Sequence, residues 1–274
     1  MNQAEQKYLA LLEILRGYGS CAVAFSGGVD STLLLLAAWE ALGEKTAAIT
    51  AVSVFIPEKE LSEAETFCRE RDIPLYRYAY APLDDAAVRF NPPNRCYLCK
   101  KTLFAALLAL TRENNLAVLC EGTNVDDASD YRPGMKAVRE LGVKSPLRDA
   151  GLHKAEIREL LHNRGVAVWD KPSAACLASR FAYGEEITAE RLQRVERAED
   201  YLRSLGFKQL RVRVHGELAR LELLPEELPR LLDGALRQTV HDRLKTEGFR
   251  YVALDLAGYR TGSMNDAITE EEKK

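Results

Sequence analysis

Two groups of residues in this chain have the types and spacing to do chemistry, and the first is Ser26-Gly27-Gly28-Val29-Asp30-Ser31-Thr32. It follows the apolar run Cys21 to Phe25 and precedes Leu33 to Trp39. Glycines at a helix entry let backbone N–H groups approach a phosphate with no Cβ in the way, and the helix dipole favours the negative charge. The hydroxyls of Ser26, Ser31 and Thr32 add donors. Asp30 suits an anion site only if a divalent cation bridges it to the phosphate. The plainer alternative is a tight turn in which Asp30 or Ser31 caps a helix.

The second group is cysteine. Cys96-Tyr97-Leu98-Cys99 has the spacing that lets two thiolates reach one metal, and no second such pair exists to complete a zinc site. Cys176, in KPSAACLASR, sits among Pro172 and small residues that suggest a loop, so it is the natural third ligand. Three thiolates on an iron–sulfur cluster leave one iron open for an exchangeable ligand such as hydrosulfide. A structural zinc or free surface thiols are the alternatives. Cys21 and Cys120 fall inside strand patterns and Cys68 inside a helix pattern, where cysteine acts as a small buried hydrophobe. Arg180, Arg211 and Arg213 could receive a carboxylate or phosphate through bidentate guanidinium pairing, with Ser179 beside them. The same arginines could instead be solvated or salt-bridged, with Asp255 a candidate partner.

The elements that position these residues alternate. Cys21 to Phe25, Thr46 to Ile56, Leu75 to Tyr80 and Leu116 to Cys120 read as strands, with Lys144 to Leu147 a further short one. Helical patterns cover the N-terminal segment, the apolar run behind the Ser-Gly-Gly loop, Glu58 to Arg71, Leu103 to Asn114 and Lys154 to Arg164. Alternation of this kind predicts a parallel α/β sheet with ligand loops at the carboxyl ends of its strands, EGTNVDD from Glu121 to Asp127 among them. From Lys171 the order becomes helix, Gly-Phe, strand, twice over, which predicts a smaller α+β domain. The expected domains are 1–170 and 171–274. Leu210 to Val214 alternates so that Val212 and Val214 face a core while Arg211 and Arg213 share the other face. The last residues, ITEEEKK, are expected to fray.

With 274 residues, 47% of them hydrophobic, and 38 Lys+Arg against 41 Asp+Glu, the chain is an ordinary globular one with no global basic field to recruit nucleic acid. No apolar run reaches the roughly 20 residues of a membrane span, and the N-terminus lacks the pattern of a signal peptide. A cytoplasmic location is expected, where cysteines bind metal or catalyse more often than they form disulfides.

SGGVDST resembles the PP-loop of the N-type ATP pyrophosphatases. The resemblance implies an adenine nucleotide alpha-hydrolase-like fold, ATP with Mg2+ as substrate, and cleavage to AMP and diphosphate as an oxygen is adenylated. It places Ser26, Gly27, Gly28, Asp30, Ser31, Thr32 and Gly122 at ATP, with Asp30 on the magnesium. The wider set of EGTNVDDASDYRPGMKA, KPSAACLASRFAYG, YLRSLGF, LRVRVH and GFRYVALDL, in that order, is similar to the LarE family over nearly the full length. Membership implies an ATP-dependent sulfurtransferase acting on pyridinium-3,5-biscarboxylic acid mononucleotide. The thiocarboxylate product feeds synthesis of the nickel-pincer nucleotide cofactor of lactate racemase.

The family has two sulfur chemistries. In one, a single cysteine surrenders its own sulfur; in the other, three cysteines hold a [4Fe-4S] cluster that carries a transferable sulfide. Cys176 matches the sulfur-bearing position, and the presence of Cys96 and Cys99 favours the cluster type, with all three as ligands. Ser179, Arg180, Glu199, Arg211 and Arg213 fall where the family binds its acceptor. A separate sulfur or sulfide donor and a homo-oligomer are implied as well. The rival readings are a PP-loop tRNA thiolation enzyme, for which no basic RNA-binding extension is evident, an ammonia-using amide ligase, and a non-catalytic nucleotide-binding regulator.

Overall fold

The computed structural model describes residues 2–129, 133–172, 175–260 and 262–263. The DYR of the DYRPG string and the end of the chain lie outside the described residues. Two compact units divide the chain: residues 1–80 with 96–174, and residues 81–95 with 175–274. The segment 81–95, which the sequence groups with the first domain, therefore belongs to the second unit.

The first unit is built on four parallel strands: β1 (Cys21–Ala24), β2 (Thr46–Val52), β3 (Leu75–Ala79) and β4 (Val118–Cys120), in the spatial order β3-β2-β1-β4. The expected strand at Lys144 shrinks to one parallel rung, Cys120 with Lys144. Pro146 has no N–H to extend a ladder, and it opens a short helix instead. The helices are α1 (Gln3–Tyr18), α2 (Val29–Leu42), α3 (Glu58–Arg69), α4 (Ala86–Arg89, in the second unit), α5 (Arg95–Glu113), α6 (Pro133–Glu140), α7 (Pro146–Asp149) and α8 (Lys154–Asn163).

Burial explains the strand sequences. On one face, Cys21 and Val23 join the apolar residues of α1, α2 and α8 in one core. On the other, Ala22 packs with Ile49, Leu119, Phe104 and Leu107 of α5, and Val138 of α6. With both faces covered, β1, β2 and β4 read as mainly apolar runs rather than alternating ones, while the edge strand β3, Leu75–Ala79, is only partly buried. Cys21, Cys68 and Cys120 are all buried.

The second unit holds α9 (Ala189–Ser204), β5 (Leu210–His215), β6 (Leu218–Leu223), α10 (Leu228–Leu231), α11 (Gly234–Thr246) and β7 (Tyr251–Leu254). β5 and β6 form an antiparallel hairpin, and β7 joins β6 in parallel. On the open side of β5, Phe181 makes one parallel bridge with Val214. Among the described residues no helix is long and apolar enough to cross a membrane.

Candidate functional site

In the first unit the chain order β1, β2, β3 runs outward on one side of β1, and β4 returns on the other. Such a reversal leaves a crevice beyond the carboxyl ends of the two strands, here β1 and β4. The loops that line it are Phe25–Gly28 and Glu121–Asn124. α2 begins at Val29 with Gly28 as its N-cap and no side-chain cap, so its first N–H groups are left for a ligand. Gly27 takes φ 68°, and a Cβ there would also meet Ala64 at 3.3 Å. Gly122 passes so close that a Cβ would stand 3.0 Å from the backbone nitrogen of Ser31 and 3.3 Å from the Asp30 carbonyl carbon.

Side chains lock this crevice. The Ser31 hydroxyl donates to the Gly28 carbonyl at 3.1 Å and lies 3.2 Å from the Ser26 hydroxyl. Thr32 is buried, and its backbone N–H donates to the same Gly28 carbonyl. Asp30 accepts from Lys154 Nζ at 2.5 Å and from Asn124 Nδ2 at 3.1 Å. Lys154 is the first residue of α8, and its own backbone N–H donates to Asp126, which also pairs with His153. Lys171 Nζ donates to the Gly27 carbonyl at 3.1 Å and to Glu63 at 2.8 Å. The buried Glu121 carboxylate accepts from the Thr123 backbone and hydroxyl and from the Ser145 hydroxyl, which fixes the loop after β4.

Cys96 and Cys99 occupy the first turn of α5, a helix that starts eight residues earlier than the apolar periodicity at Leu103 suggests. Three residues apart on a helix, they share one face. Both are half-buried, and the Tyr80 hydroxyl lies 3.5 Å from Cys99 Sγ. Among the described residues no three His, Cys, Asp or Glu side chains gather into a metal-binding group.

The second unit holds Cys176, exposed, in front of a short 3-10 turn over Leu177–Arg180. Ser173 and Ala174 of its string lie outside the described residues. Buried arginines grip the turn. Arg180 Nη1 donates to the carbonyls of Ala175 at 2.6 Å and Cys176 at 3.0 Å, and to the Ser179 hydroxyl. Arg213 Nη1 donates to the Ser179 carbonyl at 2.7 Å, and Arg95 Nη1 to the Ala178 carbonyl at 2.7 Å. Asn91 Nδ2 donates to the carbonyls of Phe181 and Ala182.

The face of β5 that carries Arg211 and Arg213 is buried as well as the Val212 and Val214 face, and carboxylates compensate its arginines. Arg180 is 2% exposed and meets the fully buried Glu199 through two parallel hydrogen bonds of 2.9 Å. Glu199 also accepts from Arg203 and from the Val212 backbone. Burial pushes the Glu199 carboxyl up, but the charges and hydrogen bonds of the arginines outweigh it and bring the group down to about 2. Arg213 pairs with buried Glu222 at 2.9 Å, while Asp255 takes Arg220. Arg211 donates to the Leu210 carbonyl and lies 5.3 Å over the Tyr259 ring. Burial and the neighbouring Arg180 charge lower it to about 10.

The structure therefore brings Ser26, Gly27, Gly28, Asp30, Ser31, Thr32 and Gly122 together in one crevice, and Cys176, Ser179, Arg180, Glu199 and Arg213 into one hydrogen-bonded frame. Residues absent from the sequence reading are Lys154, Asn124, Lys171, Glu222, Asn91 and Arg95. Asn124 lies in the EGTN string, and Arg95 directly precedes Cys96; the two lysines have no spacing that marks them.

No family model matches the chain. It is 36% identical over 267 residues, 97% of this chain and 96% of the other, to the pyridinium-3,5-bisthiocarboxylic acid mononucleotide synthase of Lactiplantibacillus plantarum. The chain belongs to the LarE family. Two further relatives are uncharacterized: one from Synechocystis sp., 42% identical over 90% of this chain and 92% of its own, and one from Methanocaldococcus jannaschii, 30% identical over 87% and 90%. A LarE-family sequence thus carries both a crevice suited to an anion and a braced, exposed cysteine.

Proposed function

We propose that this chain is an ATP-dependent sulfurtransferase that converts pyridinium-3,5-biscarboxylic acid mononucleotide to its thiocarboxylic form. The observation that carries this is the near full-length match to the bisthiocarboxylic acid mononucleotide synthase. The uncapped α2 N-terminus behind Gly27 and Gly28, with Gly122 pressed against it, supports reading SGGVDST as a PP-loop. In the proposed reaction a substrate carboxylate oxygen attacks the α-phosphorus of ATP and diphosphate leaves. A sulfur nucleophile then attacks the acyl carbon and AMP leaves. Ser26, Gly27, Gly28, Ser31, Thr32 and Gly122 hold the nucleotide; Asp30 exchanges Lys154 for magnesium.

On the acceptor side stand Ser179, Arg180, Glu199, Arg211 and Arg213. Arg180 and Arg213 act there through the turn they hold, since their charge is already met by Glu199 and Glu222. For the sulfur, Cys96, Cys99 and Cys176 would hold a [4Fe-4S] cluster. The donor chemistry fits: all three are thiols and two share a helical turn. Bound so, the cluster supplies an open iron for exchangeable sulfide. We read the active form as a homo-oligomer fed by a separate sulfide donor.

The test is AMP release by anaerobic, iron- and sulfide-loaded protein given ATP and Mg2+, with the pyridinium mononucleotide or bulk tRNA as acceptor. AMP formed only with the pyridinium nucleotide, in excess over protein, is expected. AMP formed only with tRNA overturns the substrate. Protein that never retains iron and acid-labile sulfide overturns the cluster.

A further inference from the structure

Gly27 and Gly28 are the only adjacent glycines in the sequence, and the peptide plane between them carries no Cβ on either side, so it is the part of the loop most free to turn over. In a trans peptide the carbonyl and the N–H point in opposite directions. The structure fixes both ends of this one. The Gly27 carbonyl accepts from Lys171 Nζ at 3.1 Å. The Gly28 N–H points the other way, to the Ser26 hydroxyl at 3.4 Å, which itself lies 3.2 Å from the Ser31 hydroxyl. The bond to Ser26 is long, so a phosphate oxygen can take its place. The next carbonyl, that of Gly28, is held from within α2 by Ser31 and Thr32. The Gly27–Gly28 peptide is held from outside the loop, by a lysine 144 residues away in sequence. Lys171 is itself fixed: its carbonyl accepts from Arg158 of α8 at 2.8 Å, its backbone N–H donates to Val168, and its ammonium also meets Glu63 of α3 at 2.8 Å. The Glu63 carboxylate offsets the charge of the ammonium, so what reaches the loop is a directed hydrogen bond rather than a general pull on anions.

We propose that Lys171 is a positioning residue of the nucleotide loop: by holding the Gly27 carbonyl on the α3 side, it keeps the Gly28 N–H on the side of the Ser26 and Ser31 hydroxyls, where a phosphate is bound. Turned over, the same peptide would present a carbonyl oxygen to the phosphate and repel it. Two glycines make that turn easy, and the lysine prevents it. The loop thus keeps the bare backbone that close approach to a phosphate needs while losing the freedom that two glycines bring. The inference rests on SGGVDST as the loop that binds ATP. Loss of one charge-assisted hydrogen bond is expected to weaken MgATP binding about tenfold.

The test uses the full-length chain with glycine isotope-labelled at both its carbonyl carbon and its amide nitrogen. Because the sequence holds a single Gly-Gly pair, an NMR spectrum correlating each amide with the preceding carbonyl contains one cross-peak, from the Gly27 carbonyl and the Gly28 N–H. In nucleotide-free Lys171→Met the carbonyl carbon of that peak is expected to move upfield, as a carbonyl does on losing a donor, and to return toward the wild-type position in Lys171→Arg. MgATP affinity measured by calorimetry is expected to fall about tenfold in Lys171→Met and to recover in Lys171→Arg. A cross-peak that stays in place in folded Lys171→Met overturns the proposal whatever the affinity does, and so does an unchanged affinity beside a displaced peak. Should that variant not fold, the wild type decides: MgATP should move the Gly28 amide proton and leave the Gly27 carbonyl carbon in place, and any other pattern in the nucleotide-bound protein overturns the proposal. Wild-type protein that binds no MgATP overturns the functional reading instead. The nucleotide-free peak of Lys171→Met is read independently of that outcome.

Discussion

Glu199 is fully buried, and it stays ionised because Arg180, Arg203 and Arg211 surround it. Its folded value, about 2, lies below the ordinary 4.5 of a glutamate. A carboxyl lowered in this way stabilises the fold fully above about pH 4.5, and the contribution is lost as pH falls toward 2, on the order of 3 kcal/mol in all. Acid titration followed by near-UV circular dichroism should show this limb, and Glu199→Gln should flatten it. At pH 7 the same variant leaves Arg180 buried without its charge partner and should lower urea stability by about 3–5 kcal/mol. Gly122→Ala acts elsewhere. Its methyl group would meet the backbone of Ser31 and Asp30, which cannot rotate aside as a side chain could. ATP affinity measured calorimetrically should drop by about tenfold or more, with far-UV dichroism unchanged.

At the scale of elements, α8 delivers Lys154 to Asp30 from its first position. The pair is only partly buried, so Lys154→Met should change stability by no more than about 1 kcal/mol. On the proposed reading, in which Asp30 takes magnesium, the variant removes a competing cation, so the Mg2+ concentration giving half-maximal AMP formation should fall. Helix α9 carries Glu199 and is capped by Thr188, whose hydroxyl accepts the Arg191 backbone N–H. Thr188→Ala should cost about 1 kcal/mol in urea melts.

The strands and long helices of both units were legible because burial imposes a pattern on their sequences. The first turns of α5 were not, because residues 95–101 are largely polar and only Leu103 onward repeats apolar side chains. The loop glycines marked the close backbone approach at the entry to α2. Lys154 and Lys171 did not announce themselves, since an isolated lysine looks the same whether it points to solvent or to Asp30 or Glu63. The hairpin illustrates a subtler limit. A two-residue turn sets Arg211 opposite Glu222 in register, yet the ion pair forms on the diagonal with Arg213, because the long side chains lean along the strand.

For the molecule as a whole, the proposed separation of adenylation from sulfur delivery can be tested by one substitution. Cys176→Ser should still release AMP with the pyridinium nucleotide but form no thiocarboxylate, as read by mass spectrometry of the product. The composition of the second unit has a different consequence. Its segment 81–95 leaves the ribosome long before its partners: Asn91 binds the Phe181 carbonyl 90 residues later, and Arg95 the Ala178 carbonyl 83 residues later. At translation rates of roughly 5–20 residues per second, Asn91 and Arg95 wait several seconds for the backbone that will satisfy them. The turn bearing Cys176 takes its final form only after most of the protein has been made.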